Sequence, residues 1–285
     1  MTVLIASDLD RTLIYSAAAL TPVRTEPVRS EPVPELVAVE HTEAGAVSFV
    51  TAAAAGMLAE LGEAHLVVPV TTRTVEQFRR VVLPGRQPRY AVVANGGVLL
   101  VDGVPDPDWA ERVRARLAAV APIEVADALL RASCAPEWTS RITTAQGLFC
   151  YAVLDRALIP PGAVEQLADR AAQVGWRMSL QGRKLYLVPE PLTKSAAVAE
   201  VAAREGSTLI LAAGDSLLDM DLLEHADRAV RPAHGELAEI DWRAPHLRVV
   251  DAVGVLAGQH IVSWFAEQAR TSEMHPDPDG AARRR

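Results

Sequence analysis

The segment Val-Leu-Ile-Ala-Ser-Asp-Leu-Asp-Arg-Thr, residues 3–12, decides the fold class, because a short apolar run ends in two closely spaced carboxylates. Such a run is typical of a buried strand in a parallel sheet. Ligands of open α/β sheets bind at the carboxyl ends of the strands, so Asp8 and Asp10 would face a binding crevice. An ordinary strand-end turn, stabilised by aspartate bonding to nearby backbone, explains this segment equally well when it is taken alone.

Outside this segment, short apolar runs alternate with longer stretches of helical period, which is the pattern of a parallel sheet covered by helices. Further strands are predicted at residues 66–70, 91–94, 209–213, 229–230 and 247–250. Helices rich in Ala and Leu are predicted at residues 52–61, 75–82, 195–204, 217–223 and 253–269. The sequence therefore predicts an α/β fold with a Rossmann-like, three-layer core.

The middle of the chain has a different pattern and is predicted to be a smaller α+β domain inserted into the core. Helices are expected there at 108–120 and 162–174, and strands at 148–154 and 184–188. The core then comprises residues 1–97 and 190–270, the inserted cap domain residues 98–189, and a disordered tail residues 271–285.

The segment that leaves the first strand has two further features. Residues 21–34 are rich in proline and charge and should form an extended loop. Residues 36–39 and 47–50 flank the turn at 42–45 like a β-hairpin. Because this hairpin follows the loop that leaves the first strand, we expect it to border the mouth of the crevice that Asp8 and Asp10 face.

The composition excludes several classes of protein. Half of the residues are apolar, which permits a well-buried core. The two cysteines are too few for a disulfide framework and lack the CxxC or Cys/His spacing of a zinc site. A net charge of −8 gives no basic face for nucleic acid. The sequence has neither an apolar run long enough to span a membrane nor the basic start of a signal peptide. These observations predict a soluble, cytoplasmic protein.

A second acidic segment, residues 214–219, directly follows the predicted strand at 209–213. Asp215 and Asp219 are four residues apart, about one helical turn, so both carboxylates can reach the crevice at the strand ends. Either Asp215 or Ser216 could instead be only a helix N-cap. Several carboxylates converging on one crevice would repel one another unless a cation were bound. With hard oxygen ligands and no His or Cys nearby, the predicted cation is Mg²⁺.

Two further polar groups stand at a helix start and a strand end. Lys194 stands at the start of the predicted helix at 195–204. A positive charge there opposes the helix dipole, which favours a functional role. The alternative is a solvated surface lysine. Thr71 follows the strand at 66–70 and could donate its hydroxyl to a phosphoryl oxygen, or it could be an N-cap.

Together these four segments resemble the motifs of the haloacid dehalogenase superfamily. The superfamily motifs are a DxDx[TV] segment, a Ser or Thr, a Lys and a GDxxxD-type acidic segment, and they match residues 8–12, Thr71, Lys194 and residues 214–219 here. The insertion between Thr71 and Lys194 is similar to the cap of Cof-type sugar phosphatases and of sucrose-phosphate phosphatases. Residues 95–97 resemble the Asn-Gly turn that leads into such a cap.

The chain departs from this pattern in two ways. Arg11 stands where many relatives have glycine, which adds a bulky cation beside the site. The segment between the first two motifs, with its proline-rich loop and hairpin, is longer than expected for a Cof-type enzyme.

The resemblance implies a mechanism with an aspartyl-phosphate intermediate. Asp8 would attack phosphorus, and Asp10 would first protonate the leaving oxygen and then deprotonate water. The resemblance places Mg²⁺ on Asp8, Asp215 and the main-chain carbonyl of Asp10. Asp219 would steady Lys194 or a metal-bound water.

The same resemblance predicts which residues bind the substrate. Thr71 and Lys194 would hold phosphoryl oxygens, and Asn95 would contribute from the Asn-Gly turn. Further candidate contacts are Arg183, Lys184 and Tyr186 from the cap, for which an exposed hairpin is the alternative, and Arg11 and Arg73 from the core, for which surface ion pairing is the alternative.

The leading hypothesis is a phosphatase acting on a small phosphorylated metabolite, such as a sugar phosphate. A phosphomutase of the phosphomannomutase type and a catalytically silent ligand-binding protein are the alternatives. The intact acidic residues and Lys194 argue against a silent protein. The sequence names neither the substrate nor the oligomeric state.

Overall fold

The computed structural model describes residues 2–20 and 34–274. Its strands are β1 Val3–Ser7, β2 Tyr15–Ser16, β3 Leu36–Thr42, β4 Gly45–Thr51, β5 Leu66–Pro69, β6 Tyr90–Val93, β7 Val98–Val101, β8 Val104–Pro105, β9 Thr139–Ala145, β10 Phe149–Leu154, β11 Trp176–Gln181, β12 Lys184–Pro189, β13 Leu209–Ala213, β14 Arg228–Arg231 and β15 Leu247–Val249. Its α-helices are α1 Ala52–Ala64, α2 Val75–Phe78, α3 Pro107–Leu117, α4 Ile123–Ser133, α5 Ala163–Ala172, α6 Lys194–Glu205, α7 Met220–His225, α8 Glu236–Glu239 and α9 Val255–Met274.

A five-stranded parallel sheet forms the core, in the order β15-β14-β13-β1-β5. Every residue of β1 and β13 is buried, because the sheet is covered on both faces. Successive side chains of β1 point to opposite faces. Val3 and Ile5 join the apolar cluster of α1 and α9, whereas Leu4 and Ala6 join the cluster that includes α6 and α7. The predicted α/β class with a three-layer core is confirmed.

The strand predicted at 91–94 is not a member of this parallel sheet. Instead, β6 pairs antiparallel with β7 in a three-stranded sheet. A parallel bridge from Val70 to Val92, with the Thr71 N–H donating to the Val92 carbonyl oxygen, links β6 to the chain just after β5. The chain reverses at Asn95 and Gly96, whose φ angles are 56° and 91°. Glycine is required at residue 96, because a Cβ there would lie 2.1 Å from the carbonyl oxygen of Thr193.

The helix predicted at 75–82 ends early, at Phe78. The chain beyond it pairs with β3: Val82 N–H donates to the carbonyl oxygen of Val39, and Glu40 forms a bridge with Val81. A tertiary strand contact has therefore replaced the last helical turn that the local pattern favoured.

The inserted segment contains a four-stranded antiparallel sheet in the order β11-β12-β10-β9, with α4 and α5 packed on it. The predicted strands at 148–154 and 184–188 correspond to β10 and β12. The sequence pattern missed α4, β9 and β11. The two strands were missed because they alternate only weakly between buried and exposed residues. We call this sheet with its helices the cap; its predicted boundaries, 98–189, remain a prediction.

The predicted hairpin is present as β3 and β4, and β2 extends it to three strands in the order β2-β4-β3. The predicted loop at 21–34 lies, except for its last residue, outside the described part of the chain. Helix α9 continues to Met274, so the first four residues of the predicted disordered tail are helical, and residues 275–285 are outside the described part. In residues 2–20 and 34–274, no helix has both the length and the hydropathy needed to cross a bilayer.

Candidate active site

Neighbouring strands of the core sheet bring the predicted motifs to one edge. Strands β13, β1 and β5 are adjacent, and their carboxyl ends therefore open into the same crevice. The polar residues collected there are Asp8 and Asp10 after β1, Thr71 and Arg73 after β5, Asp215 and Asp219 after β13, and Lys194 at the start of α6.

Lys194 lies at the centre of this crevice. It is fully buried, and its Nζ donates to Asp8 Oδ1 at 2.7 Å and to Asp219 Oδ1 at 2.5 Å. Burial opposes the charge on the amine, but the carboxylates of Asp219 and Asp8 outweigh it and raise the pKa of Lys194. The interpretation of Lys194 as a solvated surface lysine is therefore wrong.

The second carboxyl oxygen of Asp219 stabilises the loop that carries Asp215. This Oδ2 accepts from the backbone N–H of Asp215 at 3.1 Å, from that of Ser216 at 2.9 Å and from the Ser216 hydroxyl at 2.6 Å. Ser216 occupies the N-cap position of the following turn, as the alternative interpretation held, but its hydroxyl donates to Asp219. Residue 214 must be glycine, because a Cβ there would lie 2.3 Å from the Cβ of Asp219.

Asp8, Asp215 and Asp219 form a buried acidic cluster, in which one carboxyl oxygen from each lies within 4.8 Å of the others. Burial raises the pKa of Asp8 and of Asp215, and the neighbouring carboxylates raise both further. Lys194 supplies one buried positive charge to three carboxyl groups, so the cluster has an excess of negative charge. This all-oxygen donor set fits a divalent cation. Because Asp219 already accepts four hydrogen bonds, Asp8 and Asp215 are the better side-chain ligands.

The carboxylate of Asp10 turns away from this cluster toward Arg73. Arg73 donates from Nε to Oδ2 at 2.7 Å and from Nη2 to Oδ1 at 2.8 Å, a two-pronged ion pair. Desolvation in the crevice tends to raise the pKa of Asp10, but the hydrogen bonds and charge of Arg73 outweigh it, so the pKa is lowered. Arg73 therefore forms an ion pair, which was the alternative to phosphate binding. The pair is not a surface one, because the Arg73 side chain is only 12 % exposed.

Thr71 is buried at the end of β5, where its hydroxyl accepts from the backbone N–H of Arg73 at 3.1 Å. It does not cap α2, because Thr74 does so in a reciprocal pair with Gln77. The helix-cap alternative for Thr71 is therefore wrong, and its hydroxyl hydrogen is available to an acceptor in the crevice.

The remaining predicted contacts divide between the crevice and other locations. Arg11, with a φ of 65°, places its Nε 3.6 Å from Asp215 Oδ2. Lys184 stands over the ring of Tyr151 at 5.7 Å, and the nearby Tyr186 and Asp10 raise its pKa. Arg183 is exposed and donates to the backbone oxygen of Leu154 at 3.4 Å, so the structure does not bring it to the carboxylates.

Asn95 and Tyr186 are buried at the junction of core and cap. Asn95 Nδ2 donates to the carbonyl oxygen of Leu192 at 3.0 Å, which ties the two chain segments that connect the cap. Tyr186 packs against Tyr151, with ring centroids 5.5 Å apart. Asn95 therefore acts on the connection itself rather than among the acidic residues.

The sequence interpretation missed three polar residues around the crevice. Glu40 of β3 is buried against Arg73, His234 donates from Nε2 to the carbonyl oxygen of Arg11 at 2.8 Å, and Glu236 bonds to the cap. Oε2 of Glu236 accepts from the Ser179 hydroxyl at 2.5 Å, and its Oε1 accepts from a backbone N–H of β11 at 2.6 Å. The contact of Glu40 with Arg73 confirms the expectation that the hairpin borders the site.

The fold is similar to the solved structures of two phosphatases and of a haloacid dehalogenase-like hydrolase. The sucrose-phosphatase of Synechocystis sp. PCC6803, solved with sucrose and phosphate, has a TM-score of 0.64 and 16% identity, over 93% of this chain and 99% of that chain. The C-terminal domain of C. albicans trehalose-6-phosphate phosphatase has a TM-score of 0.55 and 12% identity, over 93% and 92%. A haloacid dehalogenase-like hydrolase from B. subtilis has a TM-score of 0.52 and 16% identity, over 91% and 98%.

No protein-family model and no curated protein matches the sequence. Sequence identities this low establish the fold alone. The chain therefore has the fold that these structures share, the haloacid dehalogenase-like fold that the resemblance of its motifs predicted.

Proposed function

We propose that the protein is a phosphatase that hydrolyses a small phosphorylated metabolite through an aspartyl-phosphate on Asp8. The observation that carries this proposal is the fully buried Lys194, bonded to Asp8 and Asp219 beside Asp215. Three buried carboxyl groups around one lysine stabilise a fold poorly, because desolvating charges costs more than an imperfect pairing returns. Such arrangements are characteristic of reactive sites.

The chain's own residues would divide the chemistry as follows. Asp8, kept ionised by Lys194, attacks phosphorus and forms the acyl phosphate while the leaving oxygen departs. Lys194 and the Thr71 hydroxyl bind phosphoryl oxygens. Asp10 protonates the leaving oxygen in the first step and, now ionised, takes a proton from the attacking water in the second.

The ion pair with Arg73 affects these two roles of Asp10 differently. Both of its oxygens accept from Arg73, so the carboxylate is held in the form that acts as a base. To act as an acid, Asp10 must carry a proton on one oxygen and give up the hydrogen bond to Arg73 there, so the one bond that remains sets the direction of the carboxyl group. The acid step is therefore the more sensitive to how Arg73 is held.

The fit of the oxygen donors leads us to assign Mg²⁺ as the metal. Held by Asp8, Asp215 and the main-chain carbonyl of Asp10, it would neutralise the negative charge of the transferring phosphoryl group. Asp219 would keep Lys194 and the loop around Asp215 in place.

A sugar phosphate is the proposed substrate class, because two of the similar structures are a sucrose-phosphatase and a trehalose-6-phosphate phosphatase. Lys184 and Tyr186 from the cap would contact the leaving group, and the cap would exclude bulk water from the acyl phosphate. We place the protein in the cytoplasm, where the buried free thiols of Cys134 and Cys150 would stay reduced.

The test is phosphate release from a panel of sugar, glycerate and nucleoside phosphates in the presence of Mg²⁺. We expect turnover of one class by the wild type and none by Asp8→Asn. The matched control is Asp102→Asn, at an exposed position with a φ of 48°, where asparagine is tolerated. Turnover by Asp8→Asn would contradict the proposal, and phosphate retained on a bisphosphorylated sugar would indicate a phosphomutase.

A further inference from the structure

Glu40 is a buried carboxylate that the mechanism above does not use. It lies on β3 and is 3% exposed. Its Oε2 accepts from the Ser48 hydroxyl at 2.6 Å and from Arg73 Nη2 at 2.9 Å, and its Oε1 lies 2.9 Å from Arg73 Nη1 and 3.4 Å from Arg80 Nε. A carboxylate buried to this extent is stable only when it is paired, and here most of the pairing comes from one guanidinium.

Arg73 therefore bridges two carboxylates with one planar group. Its Nε and Nη2 donate to Asp10, while Nη2 also donates to Glu40 and Nη1 forms an ion pair with the same carboxylate without a hydrogen bond. A flexible arginine side chain loses much rotational freedom when it is fixed in one geometry. The contact with Glu40 already restricts the guanidinium, so less conformational entropy is lost when Arg73 also binds Asp10. Without Glu40, the edge that faces Asp10 would no longer have a fixed direction.

The fold places Glu40 at this position through an irregularity in the hairpin. The register of β3 against β4 shifts on both sides of Glu40, which marks a bulge that redirects the side chain. The same stretch is tied to the chain after α2 by the bridge from Glu40 to Val81 and by the hydrogen bond from Val82 to Val39. The hairpin is thus fastened to the segment that carries Arg73.

We propose that Glu40 is a positioning residue for catalysis, acting on Asp10 through Arg73. It fixes the guanidinium, and the guanidinium sets the direction of the carboxyl group that transfers the proton. This inference rests on the proposed phosphatase function, and it assigns the hairpin of β3 and β4 a role in catalysis.

The experiment compares leaving groups that need a proton to different degrees. The probes are p-nitrophenyl phosphate and phenyl phosphate, whose leaving group is a phenol with a pKa of about 10, close to that of a tyrosine side chain. The rate constant of the first turnover with Mg²⁺, measured by rapid mixing, reports phosphorylation of Asp8. We expect Glu40→Gln to lower it about tenfold or more for phenyl phosphate and less than about threefold for the nitrophenyl ester, with little change in KM for either.

Two variants separate positioning from a general structural effect. In an Arg73→Ala background, Glu40→Gln should cause no further selective loss, because Glu40 acts through that arginine. The matched control is Arg80→Gln, which removes the other, 44 % exposed cation from Glu40 and should leave both first turnovers unchanged.

If Glu40→Gln fails to fold, as judged by thermal unfolding, Ser48→Ala replaces it. That variant removes one hydrogen bond to Glu40 and keeps both charges. We therefore expect a smaller loss of rate, again larger for phenyl phosphate than for the nitrophenyl ester. Equal losses for the two esters, or additive losses in the Arg73→Ala background, would overturn the inference. A wild type without Asp8-dependent turnover of either ester would overturn the proposed function itself, and this inference with it.

Discussion

Replacing Lys194 by methionine should destabilise the protein strongly, because it removes the buried cation between Asp8 and Asp219. Methionine retains an apolar side chain of comparable length, so the change isolates the charge and its hydrogen bonds. The wild-type amine donates at 2.7 Å and 2.5 Å and is fully buried, so water cannot replace it. Removing one partner of a buried ion pair costs about 3–5 kcal/mol. At a urea slope of about 2–3 kcal/mol/M, the unfolding midpoint should fall by roughly 1–2.5 M.

The loss in free energy of unfolding of Lys194→Met should also depend on pH, and the pKa shifts determine the direction of this dependence. Burial already raises the pKa of Asp8, and Lys194 acts against that rise, so the variant should raise it further. A carboxyl group whose pKa is higher in the folded state takes up a proton on folding, and its penalty therefore shrinks as pH falls. The raised pKa of Lys194 means that its stabilisation is fully present below its unfolded value of about 10.5. The destabilisation should therefore be larger at about pH 8.5 than at about pH 5.5.

The assay is urea unfolding followed by tryptophan fluorescence in EDTA, so that a bound cation does not compensate for the lost charge. Lys184→Met is the matched control, because that lysine lies over the Tyr151 ring rather than inside the acidic cluster. It should cost no more than about 1–2 kcal/mol. Equal midpoint shifts for the two variants, or a larger loss at the lower pH, would refute the assignment of Lys194 as the counter-charge of a buried carboxylate pair.

Three further outcomes are expected. Asp8→Asn should release no burst of nitrophenol from p-nitrophenyl phosphate, whereas Asp10→Asn should release about one nitrophenol per site and then stall. The reason is that a good leaving group needs no acid but the second step needs a base. Equal bursts would mean that the nucleophile is wrongly assigned. Exhaustive EDTA treatment should abolish turnover and Mg²⁺ should restore it, because the clustered ligands are all oxygens, so undiminished activity in EDTA would count against the metal site. Glu236→Ala should lower the free energy of unfolding by about 1–3 kcal/mol, more than the control Ser179→Ala, because it leaves several buried donors unpaired. An unchanged unfolding temperature in calorimetry would argue against this contact as a link between core and cap.

The acidic motifs could be located from sequence because their positions follow from local pattern. A buried strand ending in Asp8 and another followed by Asp215 imply one crevice as soon as both strands belong to one parallel sheet. The strand at 91–94 shows the limit of the same reasoning. Its apolar run is correct, but β6 meets the chain after β5 at an isolated parallel bridge, and its ladder is formed with β7, which returns antiparallel after the turn at Asn95 and Gly96.

The partners of the polar side chains could not be located in this way. Arg73 has the local context of a phosphate-binding residue, yet it bonds to Asp10, 63 residues away, and to Glu40, 33 residues away. Nothing in the pattern around Glu40 distinguishes it from an ordinary solvent-facing residue of a hairpin. The bulge and the pairing with the chain after α2, which bury it, form only in the folded protein.

By itself, the sequence determined the α/β class, the inserted second sheet and the set of acidic residues around Lys194. These depend on the period of apolar residues and on position relative to strand ends, which are properties of short segments. Only the tertiary structure decided that Lys184 rather than Arg183 faces the crevice, that Arg73 joins Asp10 to Glu40, and that Glu236 joins core to cap. A periodic pattern determines which face of an element is buried, whereas the identity of a polar partner depends on how distant elements pack.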